Sequence, residues 1–176
     1  MDNNIIKILA SKTKHKELVA VMTEKAKGDK KILAQLFEIL KTGSDVEKGT
    51  AAEVMKFVSK DNPELMVAYI DVLIDYIDYK APRVRWGCPE SIGNLAQKYP
   101  DEVEKAIPKL MDNLMDKSTV VRWCAAYALT EIAKYNRKRQ KELVKRFQEL
   151  IKSEQNNGVR NLFVKANKDI EKQITS

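Results

Sequence analysis

The feature that most constrains this chain is a helix-like segment that recurs along it at nearly constant spacing. The segment starts at Val46, Val84, Val121 and Val159, so successive copies lie 38, 37 and 38 residues apart. Apolar residues follow at offsets of eight, eleven and twelve in most copies, which places them on one face of a helix. Such helices bury their apolar faces by stacking one repeat on the next, so the pattern predicts an array of similar units.

Both tryptophans occupy the same place in two copies of the segment. Trp86 and Trp123 each follow a Val-Arg pair at its start. With Val121 at 0° and about 100° per residue, the apolar residues cluster near ~40°, whereas Trp123 lies near ~200° and Tyr127 near ~240°. We therefore expect both indoles on the face opposite the buried stripe. Packing of the indoles against neighbouring helices is the alternative that the helical phase leaves open.

A second helix is predicted between successive copies of the segment. Asn62 followed by Pro63 predicts one such helix start, because asparagine is a good N-cap and proline suits the first helical position. Pro108 is expected to kink the next one. Pro89, inside a copy of the recurring segment, either marks a late helix start or kinks that helix. Residues 14–27 are predicted to supply the partner helix at the beginning of the array.

The composition favours a helical protein without cofactor chemistry. The chain has 176 residues with only 6 Gly and 5 Pro, too few for the many tight turns of an all-β fold. Cys88 and Cys124 form no metal or disulfide pattern and are predicted to be small core residues. His15 lacks a visible second ligand and is predicted to be a solvated surface residue. We expect no cofactor and no metal site.

No membrane or export signal is visible in the sequence. No apolar run approaches the roughly 18 residues of a membrane span. The first 17 residues hold too short an apolar segment for a signal peptide. We therefore predict a cytoplasmic protein with no membrane partner.

The segment AIPKLMDNLMDKSTVVRWCAAYALTEIA, residues 106–133, resembles a HEAT repeat. That family pairs an outer helix, often containing proline, with an inner helix that begins with Val-Arg. The resemblance is strong over residues 63–135 and moderate over 30–156. It implies an all-α, right-handed superhelix of about four HEAT-like helix pairs plus a terminal helix, in a single domain over residues 1–176. The approximate units are 1–43, 44–80, 81–118, 119–157 and 158–176.

The resemblance also implies roles for individual residues. An Asp in the connecting turn commonly precedes the Arg of the inner helix, which implies pairs of Asp78 with Arg85 and of Asp116 with Arg122. These pairs are expected to tie adjacent turns together rather than to bind a ligand.

The inner helices of such repeats line a concave surface, where both tryptophans are expected about one repeat apart. The first repeat is expected to present Lys48, Ala52, Met55, Lys56 and Ser59 there. The predicted binding residues are Trp86, Glu90, Asn94, Trp123, Tyr127, Glu131, Lys134, Lys165 and Lys168.

Charge is distributed unevenly along the chain. The net charge of the whole chain is +7. Residues 117–176, with 14 Lys/Arg and 6 Asp/Glu, carry +8, and residues 1–116 carry −1. The C-terminal third is therefore the basic end, which favours a partner with negative charge.

Two function classes follow from these patterns. The first is a non-catalytic scaffold that binds a protein or peptide on the concave surface through Trp86, Trp123 and Tyr127, since the sequence shows no catalytic motif. The alternative is nucleic-acid binding through the basic C-terminal third, including the type of the HEAT-like DNA alkylation-repair glycosylases. That family uses an aspartate, whereas Glu90 is the carboxylate best placed here.

Overall fold

A computed structural model describes residues 14–175, and the regular elements in that range are all helical. Helix α1 is His15–Gly28, α2 is Lys30–Thr42 and α3 is Asp45–Asp61. The 3₁₀ turns Pro63–Leu65 and Val67–Tyr69 lead into α4, Ile70–Asp75, and α5 is Pro82–Leu95. Helix α6, Pro100–Val103, continues through the 3₁₀ turn Glu104–Ala106 into α7, Ile107–Asn113. Helix α8 is Thr119–Tyr135, α9 is Arg137–Ser153 and α10 is Asn157–Thr175.

The helices form an inner row with outer helices packed against it. Helices α1, α3, α5, α8 and α10 contact one another in chain order and make the inner row. Helices α2, α4, α7 and α9 each pack on the inner helix that follows them. The predicted all-α solenoid is confirmed, and the helix predicted over residues 14–27 is α1. The division into five units stays a prediction.

Polar side chains set the start of several helices. Ser44 and Glu47 form a capping box on α3, in which the Ser44 hydroxyl accepts from the Glu47 N–H and the Glu47 carboxylate accepts from the Ser44 N–H. Asp29 caps α2 and Asn136 caps α9 through their side-chain oxygens. These caps satisfy backbone donors that the first turn of a helix leaves free.

Proline residues interrupt two outer helices and also lie within the inner helix α5. Pro63 begins a 3₁₀ turn, and regular α-helix starts only at Ile70, so the helix predicted to begin at Pro63 is partly 3₁₀. Pro108 lies in the first turn of α7 directly after a 3₁₀ turn, so the predicted interruption is observed there. Helix α5 begins at Pro82 and contains Pro89 in its interior, so the late start considered for this helix is wrong.

Apolar stripes of the outer helices form the core with the inner row. Most of their residues are nearly inaccessible to solvent because each outer helix lies against an inner helix. The buried members are Leu33, Leu36, Phe37, Leu40, Met66, Ile70, Leu73, Ile74, Ile77, Val103, Leu110, Leu114, Leu143 and Phe147. Within residues 14–175, no helix is both long and apolar enough to cross a membrane.

Two glycines let the inner helices approach one another closely. A Cβ atom added at Gly87 would lie 2.5 Å from the carbonyl oxygen of Ala52 in the neighbouring α3. A Cβ atom added at Gly93 would lie 2.7 Å from the ring of Tyr127 in α8. Helix α5 therefore contacts α3 with its backbone, and it leaves room for an aromatic ring on the side of α8.

Arginines near the start of two inner helices reach forward to the turn before the next inner helix. Arg85 Nη2 lies 2.8 Å from Asp116 Oδ2. Arg122 donates to both carboxylate oxygens of Glu154, at 3.0 Å from Nε and 3.2 Å from Nη2. Because neighbouring inner helices lie side by side, the turn before one helix reaches the arginine of the helix preceding it.

The pairing predicted for these arginines is therefore wrong by one repeat. Asp78 forms its ion pair with Lys109, at 3.0 Å, while Arg85 pairs with Asp116. Arg122 contacts Asp116 only at the backbone carbonyl, at 2.9 Å. The arginines therefore link successive repeats, whereas the predicted ion pairs would have lain within a single repeat.

Replacing Gly87 with alanine is expected to lower the free energy of unfolding by about 2 kcal/mol, because the added methyl group meets the Ala52 carbonyl and overpacks the contact. Gly28→Ala is the matched control, since a Cβ atom there meets nothing within 4 Å. Alanine at that helical position should raise stability by up to about 1 kcal/mol. Urea denaturation measures both, and equal effects of the two substitutions would contradict the close approach.

Replacing Arg122 with glutamine is expected to cost about 2 kcal/mol at neutral pH, because the nearly buried Glu154 loses a charged hydrogen-bond donor. Burial alone would raise the pKa of Glu154, but hydrogen bonds from Arg122 and Asn156 hold it below the ordinary value. The stabilisation is thus complete above about pH 4.3 and is lost as the pH falls through the lowered pKa.

The loss caused by Arg122→Gln should therefore shrink in acid, as measured by urea denaturation at several pH values. Arg146→Gln is the control, because its pair with Glu149 is about half exposed and contributes below about 1 kcal/mol. A pH-independent loss at Arg122 would contradict the role given to the ion pair.

Candidate binding surface

Side chains of four inner helices surround two neighbouring pockets that share Arg83 and Trp86 in their lining. A pocket of about 220 Å³ is lined from α1, α3, α5 and the start of α8, and a second of about 500 Å³ lies at the N-terminal ends of α3 and α5. We call this region, together with the adjoining aromatic pair of α8, the inner-helix surface. Its residues are His15, Asp45, Val46, Glu53, Lys56, Lys80, Ala81, Pro82, Arg83, Trp86, Gly87, Glu90, Val120, Trp123 and Tyr127.

Trp86 separates the two pockets. Its half-buried indole lines both of them. The buried Nε1 of Trp86 has no hydrogen-bond partner among residues 14–175. Trp86 is therefore neither sealed in the core nor fully exposed, and it lies at the boundary of the two pockets, where a group bound in either one would contact it.

Trp123 is the more accessible indole. It is 36% exposed and lies parallel to the ring of Tyr127, with 5.8 Å between the ring centroids. The two residues are one helical turn apart on α8, which brings their rings to the same face. A parallel, offset pair of this kind presents a flat aromatic surface to a partner.

Asn94 ties three inner helices together. Its Nδ2 donates to the Lys56 carbonyl at 3.0 Å and to the Ser59 hydroxyl at 3.1 Å, both on α3. Its Oδ1 accepts from the hydroxyl of Tyr127 on α8 at 2.7 Å. The polar atoms of Asn94 are thus occupied within the protein, so this predicted binding residue acts as a structural bridge beside the aromatic pair.

Tyr127 is held in place by its surroundings on both sides. Its ring fills the space that Gly93 leaves open, and its hydroxyl donates to Asn94. Burial raises the pKa of Tyr127 to about 12, with further contributions from the charges of Glu131 and Glu90. The hydroxyl therefore stays protonated and remains a hydrogen-bond donor at neutral pH.

Glu90 has partners on both neighbouring helices. Its Oε1 lies 3.7 Å from Lys56 Nζ and accepts a weak hydrogen bond from Cys124 Sγ at 3.6 Å. Burial, followed by the charge of Glu90, raises the pKa of the Cys124 thiol, so this cysteine stays protonated. Both Cys124 and Cys88 are buried, as predicted for small core residues.

The prediction that His15 is a solvated residue without a partner is wrong. Its Nε2 lies 2.8 Å from Glu53 Oε2 on α3. Nη1 of Arg83, on α5, lies 2.6 and 2.9 Å from the two ring nitrogens. These contacts join residues 38 and 68 positions apart, and no local sequence pattern indicates such separations.

The predicted C-terminal members divide between α8 and α10. Glu131 and Lys134 form an ion pair at 2.7 Å, and Lys134 also reaches Asp169 on α10 at 3.8 Å. Lys165 and Lys168 are exposed on α10. Among residues 14–175, neither of these two lysines forms an ion pair with a carboxylate. The structure therefore joins part of the predicted set and leaves the α10 lysines outside it.

The face predicted for the first repeat is largely wrong. Ala52, Met55 and Ser59 are fully buried, and only Lys56 of the predicted set lines a pocket. The cause is the close packing of α5 on α3 at Ala52. This contact buries Ala52 and leaves Glu53 facing the pocket.

Lys48 takes the place in the first repeat that tryptophan holds in the next two. It is 6% exposed and donates to the carbonyls of Leu40 and Lys41, at 2.7 and 2.5 Å, at the C-terminal end of α2. Its ammonium also lies 5.3 Å from the ring centroid of Tyr76 and 5.4 Å from that of Tyr79. Lys48 therefore caps a helix, where a cation is favoured, and does not reach the inner-helix surface.

Comparison with known proteins agrees with this architecture. The model of the HEAT-like repeat family matches residues 82–132, which cover α5, α6, α7 and most of α8. This segment is a HEAT-like repeat. The resemblance predicted from the sequence is thus confirmed where its Val-Arg-Trp motifs lie. No curated protein matches the sequence.

Several solved structures that resemble this chain are designed or engineered proteins. A designed armadillo repeat protein in complex with the peptide (KR)4 has a TM-score of 0.68 at 16% identity, covering 96% of this chain and 86% of its own. Computationally designed armadillo repeat proteins for modular peptide recognition give 0.67 at 20% identity, with 94% and 80% covered. An engineered protein from the Northeast Structural Genomics Consortium gives 0.70 at 18% identity, with 96% and 78% covered. At these identities the likeness shows the fold alone.

Replacing Tyr127 with phenylalanine is expected to cost about 1 kcal/mol at neutral pH, because Asn94 Oδ1 loses its donor. The fold favours the protonated phenol, so native stability should fall as the pH rises above about 10. Because phenylalanine has no phenol to ionise, the stability of the Tyr127→Phe variant should decrease less than that of the native chain above this pH. Urea denaturation and the absorbance of tyrosinate measure the two effects.

Tyr135→Phe serves as the control, since its hydroxyl makes no hydrogen bond within residues 14–175. It should change stability by less than about 0.5 kcal/mol. An equal loss from both substitutions would contradict the bridging role of the Tyr127 hydroxyl.

Proposed function

We propose that this chain is a non-catalytic, cytoplasmic repeat scaffold that binds a protein or peptide segment on its inner-helix surface. Trp86, Trp123 and Tyr127 are the proposed anchors. The observation that carries the proposal is that Trp86 lines pockets of about 220 and 500 Å³, while the next inner helix presents the stacked Trp123–Tyr127 pair with Trp123 36% exposed. Tryptophan and tyrosine beside pockets are the residues that most often dominate binding energy at protein interfaces.

The charges near these anchors favour a peptide over a nucleic acid. Lys56 is balanced by Glu90, and Lys134 by Glu131. Nucleic-acid affinity depends on several cations free to neutralise phosphates, and both lysines already have carboxylate partners, so among the residues that line the two pockets only Arg83 would serve in this way. A mixed aromatic and charged surface suits a peptide, which supplies its own apolar side chains and hydrogen bonds.

The solved structures support the same class of partner. One designed armadillo relative is in complex with a peptide, and others were designed for peptide recognition. These proteins share the fold of this chain and use it to hold peptides. The likeness supports a peptide as the kind of ligand and leaves its sequence open.

Nucleic-acid binding is the alternative, and the exposed lysines of α10 favour it. Lys165 and Lys168, with the basic C-terminal third, would form the contact. A glycosylase of the alkylation-repair type would need Glu90 as its reacting carboxylate, and that group is engaged by Lys56 and Cys124. The peptide proposal therefore accounts for more of the inner-helix surface.

The test is selection of binders from a random peptide library on the immobilised full chain. Enriched peptides, labelled and followed by fluorescence anisotropy, should bind the Trp86→Ala/Trp123→Ala variant at least about tenfold more weakly, since an anchoring aromatic residue contributes about 2 kcal/mol or more. Trp123→Ala alone is the variant least able to disturb folding, because its ring is exposed.

A matched control carries Lys141→Ala and Lys145→Ala, two exposed residues of the outer helix α9, and should bind normally. Circular dichroism verifies that each variant is folded. Undiminished binding by the tryptophan variants would overturn the proposed anchors. Failure to enrich any peptide, with duplex DNA bound in a steeply salt-dependent manner, would favour the alternative function.

A further inference from the structure

Arg83 is a fixed cation on the inner-helix surface. Its stem packs on α3 at Gly49, where an added Cβ atom would lie 3.0 Å from Arg83 Cβ. Its guanidinium contacts the ring of His15, which is in turn held by Glu53. Within residues 14–175, no carboxylate lies within ion-pair distance of Arg83, in contrast to Arg85. Arg83 is thus held in position by neighbours that leave its charge without a direct counterion.

The carboxylates that line the two pockets already have partners of their own. Asp45 lies 3.1 Å from Lys80 Nζ and also accepts from the Tyr79 hydroxyl, which lowers its pKa. The other two, Glu53 and Glu90, are engaged by His15 and Lys56. Arg83 lines both pockets, so it is the cation that remains available to a ligand in either one.

Apolar groups stand on both sides of this cation. Val46, 76% exposed, lines the larger pocket together with Pro82. Val120, 47% exposed, lines the smaller one. Trp86 forms the wall between them. A ligand that spans this wall would meet an apolar surface, a positive charge and a second apolar surface in succession.

The backbone adds to the positive character of this region. No side chain caps the N-terminus of α5 or α8, and neither helix has an acidic residue in its first turn. Helix α3, by contrast, carries Ser44 and Glu47 in a capping box. The partial positive charge at the start of α5 therefore acts together with Arg83 to favour a negatively charged group.

We propose that the segment bound by the inner-helix surface carries an acidic side chain between two apolar side chains. This inference rests on the proposed function and specifies its partner. The carboxylate pairs with Arg83, and the apolar side chains enter the pockets on either side of Trp86. Both pockets include Arg83 and Trp86 in their lining, so the two apolar side chains lie within a few residues of the acidic one.

The experiment uses three random peptide libraries that differ only in a fixed central residue, which is Glu, Gln or Lys. Each is selected on the native chain and on Arg83→Gln. The Glu library should be enriched most strongly on the native chain. Its best peptides should lose about tenfold or more in affinity on Arg83→Gln, since a charged hydrogen bond is removed. Arg83→Lys should retain part of the affinity, because it keeps the charge but not the two-pronged geometry.

Arg137→Gln is the matched control, because Arg137 is exposed on α9 and, among residues 14–175, its side chain bonds only the neutral Gln140. It removes the same charge far from the pockets and should leave peptide affinity unchanged. Equal losses in Arg83→Gln and Arg137→Gln would indicate general charge attraction and overturn the inference.

The remaining outcomes separate this inference from the proposed function. Enrichment of Gln or Lys peptides that still depend on Trp86 and Trp123 would overturn the acidic partner and leave the scaffold role intact. Absence of enrichment from every library would overturn both. Displacement of the Glu peptides by duplex DNA, with the same dependence on Arg83, would assign the cation to phosphate binding and overturn the peptide.

Discussion

Close backbone contact between neighbouring inner helices is the constraint on which the rest of the array depends. At Gly87 the backbone of α5 rests against the carbonyl of Ala52, so α3 and α5 are closer than side chains would allow. At Gly93 the same helix makes room for the ring of Tyr127. These contacts set the rotation of each inner helix about its axis. That rotation decides which side chains reach the surface and which are buried.

The repeat, the helix positions and the core follow from periodicity because burial of an apolar stripe is a local pattern. The rotation of α3 about its axis cannot be predicted from periodicity, because it depends on Gly87, which is 35 residues from Ala52 in the sequence. Ala52 was therefore expected at the surface, where the structure has Glu53. The predicted partners of the arginines were wrong for a related reason. A residue near a helix start can reach its own turn or the next one, and only packing selects between Asp78 and Asp116 as the partner of Arg85.

The candidate surface, too, was predictable from the sequence only in part. Periodicity placed Trp86, Trp123 and Tyr127 on one side of their helices; in the structure Trp86 lines two pockets, and the other two residues stack on each other in the next inner helix. Periodicity did not reveal that Asn94 hydrogen-bonds to both neighbouring inner helices, or that His15 contacts both Glu53 and Arg83. Polar residues with long-range partners carry no periodic signal, so their roles emerge only once the helices are stacked.

Lys48 limits how far the aromatic row extends. It stands at the equivalent position to both tryptophans, yet its ammonium is committed to the end of α2 and to two tyrosine rings. The indoles consequently occupy two adjacent repeats and stop there. A ligand bound by both indoles, as proposed, needs to bridge only one interhelical step, which a few residues of extended chain span. Under that proposal, contact over so short a segment buries little surface, which gives modest affinity and rapid dissociation.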